Sequence, residues 1–259
     1  MNSQPESPFR YLAFSLIELL VVIAVIVILA GLLLPAFATA KAKVQSTACQ
    51  NHLKQLQLGW LMYLHDHKDQ LVPNKDGDRG DGNWISYPGS WVEGNAELDV
   101  STTNIEKGAL FPYQPNAAIY HCPSDRSLLI EGPAQIRTRS YMLELWLNGI
   151  EDFDAYSPHI QRKYTSLKTP ANVFGFLDSG TCDSGSFYIS PFGYGYPPES
   201  TWVNSPPDWH NRGSNLSFVD GHVEHHRWKW PKSLDYGVDV ASPDDTADLR
   251  WLQARLPQE

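Results

Sequence analysis

The chain has 259 residues, with 20 Lys and Arg against 29 Asp and Glu and a formal net charge of −9. An acidic chain without a basic patch lacks the phosphate contacts on which nucleic-acid affinity rests, so no nucleic-acid partner is expected. Nine Trp, 12 Tyr, 19 Pro and 18 Gly point to a loop-rich β domain braced by aromatic side chains rather than to a ligand site.

The first element is apolar. From Phe14 to Leu34 the only ionisable side chain is Glu18. As a helix these residues rise about 31 Å, which matches a bilayer core, and they show no polar face of the kind a soluble surface helix carries. A carboxylate in hydrocarbon costs about 2.5–3.5 kcal/mol on insertion scales, so Glu18 needs a partner or a place near the interface. A chain cut before Phe14 supplies a partner, because the new α-amine, of the same or a neighbouring subunit, lies about one helical turn away. Without a cut, Glu18 snorkels from the helix start. Ala36-Phe37-Ala38 also fits an A-x-A signal-peptidase site, which would release a secreted protein beginning at Thr39, although the apolar run is longer than a signal peptide needs.

From Ala36 to His67 helix formers continue, and Cys49, Leu53, Leu56, Trp60 and Leu64 fall on one stripe of an amphipathic helix. Pro35 bends such a helix without having to end it. The stretch Leu71–Trp84 then breaks all periodicity with Gly, Asp and Asn. Its Asp76, Asp78 and Asp81 are oxygen donors that could hold calcium, though the EF-hand template does not fit; a solvated acidic loop is the other reading.

The roughly 190 residues after the apolar run suffice for one medium domain with its own core. Candidate strands are Ala118–His121, Ser140–Leu145, Val173–Leu177, Ser186–Ile189, Asn215–Val219 and Val223–Trp228. Strands without interleaved helices imply an antiparallel sheet, here packed on the stripe of the long helix. The Pro-rich stretch Tyr194–Trp209 reads as a surface loop. Asp220-Gly221 between two alternating segments predicts a two-residue hairpin. Strand alternation puts His222, Glu224 and His226 on one face, where they could hold zinc; His210 could join such a site, or brace the turn through Asp220 or backbone. Cys49, Cys122 and Cys182 form no C-x-x-C pair, and spacing alone leaves all three pairings open. The chain carries no G-x-S-x-G, H-E-x-x-H, P-loop or G-x-G-x-x-G.

The run Phe14-Ser-Leu-Ile-Glu18-Leu-Leu-Val-Val-Ile-Ala24 resembles the prepilin cleavage and methylation signature of type IV pilins and type II secretion pseudopilins. Ala13 stands where that family has Gly, and the nearest upstream basic residue is Arg10. Three further islands are similar to a pilin-like family of planctomycete and verrucomicrobial bacteria: Cys49-Gln-Asn-His-Leu-Lys-Gln-Leu, Cys122-Pro-Ser-Asp, and His210 followed after nine residues by Asp220-Gly221. The resemblance implies cleavage of the Ala13–Phe14 bond by a prepilin peptidase, pairing of Glu18 with a terminal amine during filament assembly, and a kink at Pro35. It also implies a Cys49–Cys122 disulfide with Cys182 free, and calcium as a possible ligand of the globular part.

The expected organisation is therefore α+β: a leader at 1–13, a transmembrane helix at 14–34, its amphipathic continuation at 35–67 and a β-rich globular domain at 68–259. The implied role is structural rather than enzymatic. It is that of a single-pass inner-membrane subunit whose C-terminal domain faces the periplasm or cell exterior, with other pilin-like subunits and an inner-membrane assembly platform as partners. Two alternatives stand beside it: a membrane-tethered metal-dependent hydrolase with its site at the C-terminal hairpin, and an anchored or secreted binding module with exposed Trp side chains.

Overall fold

The computed structural model describes residues 15–80, 83–149, 160–191 and 198–258. The expected processing residues Ala13 and Phe14, and Asp81 of the acidic loop, lie outside them. The chain divides into two compact units, Met1–Lys41 and Ala42–Glu259.

In the first unit the chain is the apolar part of helix α1 (Leu16–Asp66). Its start is a reciprocal capping box: Ser15 Oγ accepts from Glu18 N at 3.2 Å, and Glu18 Oε2 accepts from Ser15 N at 2.9 Å. The helix continues through Pro35, where one backbone N–H is missing, and Thr39 Oγ1 donates to the Pro35 carbonyl at 3.0 Å. The large apolar side chains from Leu16 to Leu34 are all exposed. A soluble protein's core helix would bury that surface; this helix is long and apolar enough to cross a membrane.

In the second unit the remainder of α1 buries the expected stripe, Cys49, Leu53, Leu56, Trp60 and Leu64. Strands β1 (Asp76–Asp78) and β2 (Trp84–Ser86) form a small hairpin. The short helix α2 (Thr103–Lys107) follows. The main sheet contains β3 (Tyr141–Glu144), β4 (Phe174–Asp178), β5 (Ser186–Phe187), β7 (Gly213–Phe218) and β8 (Val223–Arg227), in the order β5-β3-β4-β7-β8. The sheet is mixed rather than purely antiparallel, because β5 pairs parallel to β3; among the described residues the chain between them carries β4 and short 3₁₀ turns but no α-helix that would signal a parallel crossover. Strand β6 (Thr201–Trp202) pairs with β9 (Val238–Asp239) away from this sheet.

Both faces of the sheet are covered. Phe176, Leu143 and Tyr141 share one apolar cluster with the α1 stripe, while Phe174, Leu177 and Met142 share another with Leu249, Leu252 and Leu256. The second cluster holds helix α3 (Pro243–Gln253), a second helix absent from the sequence expectation. Its signals are local: Ser242 accepts from Asp245 N as N-cap, Pro243 opens the first turn, and Asp244 and Asp245 suit its dipole. Gly175 lets α1 approach the sheet closely, since a Cβ there would lie 2.5 Å from Gln57 Oε1.

Other expectations are corrected. Ala118–His121 is not a strand; Ala117–Tyr120 is a 3₁₀ turn capped by Asn116, whose side chain accepts from Ala118 N. From Thr201 on, the Pro-rich stretch is no surface loop: Thr201, Trp202, Asn204, Ser205, Pro206 and Pro207 are buried, while Pro198 and Ser200 before them are exposed. Asp220-Gly221 closes a three-residue hairpin loop, with Gly221 N donating to Phe218 O and Phe218 N to His222 O, and Gly221 at φ +100° supplying the left-handed residue that follows the turn.

Candidate metal centre

Four buried side chains from four distant segments converge on one point. One ligand atom each of Cys49, Cys122, Asp178 and His210 lies within 4.8 Å of every other, and the four residues are 0–1 % exposed. Cys49 projects from the buried stripe of α1. Cys122 opens the turn Cys122-Pro123-Ser124-Asp125, closed by Asp125 N donating to Cys122 O at 3.0 Å; Pro123 presets its second position. Asp178 is the last residue of β4, opposite Tyr141 of β3, and faces the helix side like Phe176. His210 precedes two consecutive left-handed residues, Asn211 (φ 54°) and Arg212 (φ 63°). Such non-glycine positions are costly, and they recur where a side chain must be held for a purpose.

The ring atom His210 Nε2 is 3.3 Å from Cys122 Sγ and 2.9 Å from Asp178 Oδ2. The carboxylate contact is close, but Oδ2 lies off the N–H direction and has no aligned hydrogen-bond partner. Each donor is also held from behind. Tyr141 Oη donates to Cys49 Sγ at 3.2 Å, Ser124 N to Cys122 Sγ at 3.4 Å and Asn215 N to Asp178 Oδ1 at 3.2 Å, while Ser124 Oγ lies 3.4 Å from His210 Nδ1. Electrostatically the cluster is coupled. Burial pushes the Cys49 thiol well up. Cys122 is opposed by burial, but its bonds to Cys49 and His210 bring it down to about 7. His210 is likewise opposed by burial, yet Asp178 and Cys122 raise it to about 10. Thiolate–imidazolium character is thus favoured inside the cluster.

The same geometry departs from a nucleophile–base–orienter arrangement. That machinery places the nucleophile on one imidazole nitrogen and the carboxylate on the other; here Cys122 and Asp178 both address Nε2. Access is closed as well.

No protein-family model, curated protein or solved structure matches the chain.

Cys49 and Cys122, the implied disulfide pair, are brought together as thiols, and Cys182 is buried apart from them, its thiol pushed up to about 11 by burial. His210 does not brace the hairpin through Asp220. Strand β7 lies between them, so the nine-residue spacing is the length of a turn plus a six-residue strand, roughly 20 Å of extended chain. Asp220 instead accepts from His222 N at 3.0 Å and pairs with His222 Nδ1 at 2.6 Å, while Lys54 of α1 donates to Gly221 O. The face of β8 that suggested zinc is occupied otherwise: the His222 ring stacks on Phe218, and the His226 ring stacks on Trp251 at 3.5 Å between centroids. Burial brings His226 down to about 4, so it is neutral. Trp60, Trp91, Trp146, Trp202 and Trp228 are buried, as expected of bracing residues, Trp209 and Trp251 are half-buried, and Trp84 and Trp230 are exposed.

Asp178 is the donor absent from the sequence expectation; its signal is a lone acid ending the apolar run Val173–Leu177, since a buried carboxylate needs a partner. The capping role of Glu18 is written in the pattern Ser15-Leu-Ile-Glu18 and was not among the expectations.

The acidic triplet splits. Asp76 is buried, with Oδ2 accepting from Ser184 Oγ at 2.7 Å, whereas Asp78 is exposed and its Oδ1 accepts from Gly80 N at 2.7 Å. Burial raises Asp76 to about 7. An unfolded Asp titrates near 4, so the folded state holds the extra proton between about pH 4 and 7 and stability falls as pH rises through that window. Asp76→Asn is therefore expected to melt a few degrees higher than the parent above about pH 7 and to match it below about pH 4. Thermal unfolding across that pH range checks this; an unchanged pH profile in the variant refutes it.

Proposed function

We propose that the chain is a membrane-anchored, pilin-like filament subunit. In this reading a prepilin peptidase cleaves Ala13–Phe14, the apolar part of α1 holds the product in the inner membrane, and an assembly platform joins it through that helix to other pilin-like subunits. The Ala42–Glu259 unit then faces the periplasm or cell exterior.

One observation carries the reading: a single helix whose two halves suit different surroundings. From Leu16 to Leu34 it is apolar all round and exposed, whereas from Cys49 to Leu64 it buries one stripe. The first surface calls for lipid or for the same helix of other subunits. Glu18 supports the reading, as the one ionisable group in the apolar run and one turn from the terminus that cleavage creates. Its carboxylate already accepts from Ser15 N, the first amide after Phe14. An incoming amine would set a full positive charge against a carboxylate that otherwise has only neutral donors beside it, and an opposite charge within a few ångströms favours the ionised form.

Intact mass and N-terminal sequencing of the protein extracted from membranes test the proposal. The expected terminus is an N-methylated Phe14, and Glu18→Ala is expected to remain membrane-inserted while losing assembly into sedimentable filaments. A mature terminus at Thr39, or one retaining residues 1–13, overturns it.

A further inference from the structure

We propose that Cys49, Cys122, Asp178 and His210 together bind one zinc ion, as a closed structural site that staples α1 to the sheet. Four donors are the usual complement of a structural zinc, and mixed thiolate, imidazole and carboxylate donors are its ordinary ligands. With Zn–S near 2.3 Å and Zn–N or Zn–O near 2.0 Å, a tetrahedron has edges of roughly 3.3–3.8 Å. The observed donors all lie within 4.8 Å of one another, so contractions of at most about 1–1.5 Å along the longest edges, with a slight opening of the 2.9 Å His210–Asp178 contact, close the site.

Three features distinguish this cluster from chance proximity. Asp178 Oδ2 is buried and without an aligned partner although a histidine stands 2.9 Å away; a carboxylate and an imidazole aimed at a shared point, rather than at each other, fit a common ion. Every ligand is oriented by a further group, Tyr141, Ser124 or the Asn215 amide, as metal ligands require. The left-handed pair Asn211 and Arg212 fixes the backbone beside His210.

The donor chemistry selects the metal. Two thiolates exclude calcium and magnesium, and a hard carboxylate disfavours copper(I), which prefers sulfur alone. All four positions are protein-supplied and closed to solvent, so no coordination site is left for water or substrate, and the role is structural. The ligands come from α1, the Cys122 turn, the end of β4 and the loop before β7, so one ion ties together segments up to 161 residues apart (210 − 49).

The test uses the full-length chain, purified in detergent without a polyhistidine tag. Metal analysis is expected to find about one zinc per chain. Cobalt exchanged into the site is expected to show a thiolate-to-cobalt charge-transfer band and the intense visible bands of a tetrahedral ion. Both are expected to vanish in Cys122→Ser and His210→Ala and to persist in Cys182→Ser. Cys49 and Cys122 should resist alkylation until a chelator is added. The wild-type measurements stand even where a variant fails to fold. A wild-type protein without metal overturns the proposal, whether its Cys49 and Cys122 are joined in a disulfide or remain thiols. So does a cobalt spectrum without thiolate character, or one that survives Cys122→Ser in a folded variant.

Discussion

Arg137→Ala is expected to destabilise the globular unit by about 3–5 kcal/mol, the usual cost of removing one partner of a buried ion pair. Total stabilities of domains are about 5–15 kcal/mol, so the loss is a large share. Arg137 is 2 % exposed, and its Nε donates to Asp125 Oδ2 at 2.6 Å. Its other nitrogens donate to Gly180 O at 3.1 Å and Ser179 O at 2.6 Å. Asp125 is in turn bonded by Ser140 Oγ at 2.6 Å and by Ser127 N at 2.8 Å. The guanidinium therefore clamps the turn that carries Cys122 to the segment that follows Asp178, and its loss both strands a buried carboxylate and loosens two donors of the cluster. Most of the penalty belongs to the stranded charge. The double variant Arg137→Met/Asp125→Asn is accordingly expected to be less destabilised than the sum of the two single changes. Denaturant unfolding of the four proteins reads this coupling directly, and strict additivity would show that the pair does not interact as described.

Lys232→Met is expected to be comparably damaging, about 3–5 kcal/mol, because it leaves two buried carboxylates without their shared cation. Lys232 Nζ lies 2.7 Å from Asp245 Oδ1 and 2.8 Å from Asp248 Oδ2, both on α3. It also sits 4.6 Å and 5.2 Å from the ring centroids of Trp202 and Trp228, a desolvated cation–π arrangement. Asp248 additionally accepts from the backbone N–H groups of Lys229 and Trp230, and Asp245 from Trp202 Nε1 at 3.0 Å. Removing the ammonium places two like charges in one apolar pocket and releases α3 from the sheet face it covers. The expected signature is a change in tryptophan fluorescence and near-ultraviolet dichroism together with a lower denaturation midpoint. Adding Asp248→Asn to Lys232→Met should recover part of the loss; a further fall would mean that the aspartates are bound by something other than Lys232.

Both predictions concern buried charges that tie a turn or a helix to the rest of the unit, and such groups separate what the sequence could determine from what it could not. The apolar run with Glu18, the buried stripe from Cys49 to Leu64, five of the six expected strands and the Asp220-Gly221 turn were legible because each rests on local periodicity or turn chemistry, which the chain carries regardless of its neighbours. The signals of helix α3 are equally local, in Ser242, Pro243 and its acidic first turn. The parallel pairing of β5 with β3 was not legible, since register between strands depends on a crossover and not on either strand. Nor was the cluster of four donors. The sequence marks Cys49 and Cys122, through the resemblance, as a disulfide pair and His210 as a turn brace, and Asp178 only as the lone acid that ends a buried strand. Residues 49, 122, 178 and 210 have no periodic relation to one another; only packing the helix against the sheet brings a position on α1, a turn, a strand end and a left-handed loop to one point. Secondary structure follows from what each segment would do alone in water or lipid, whereas a site follows from which segments exclude water together, and that was decided by the tertiary fold.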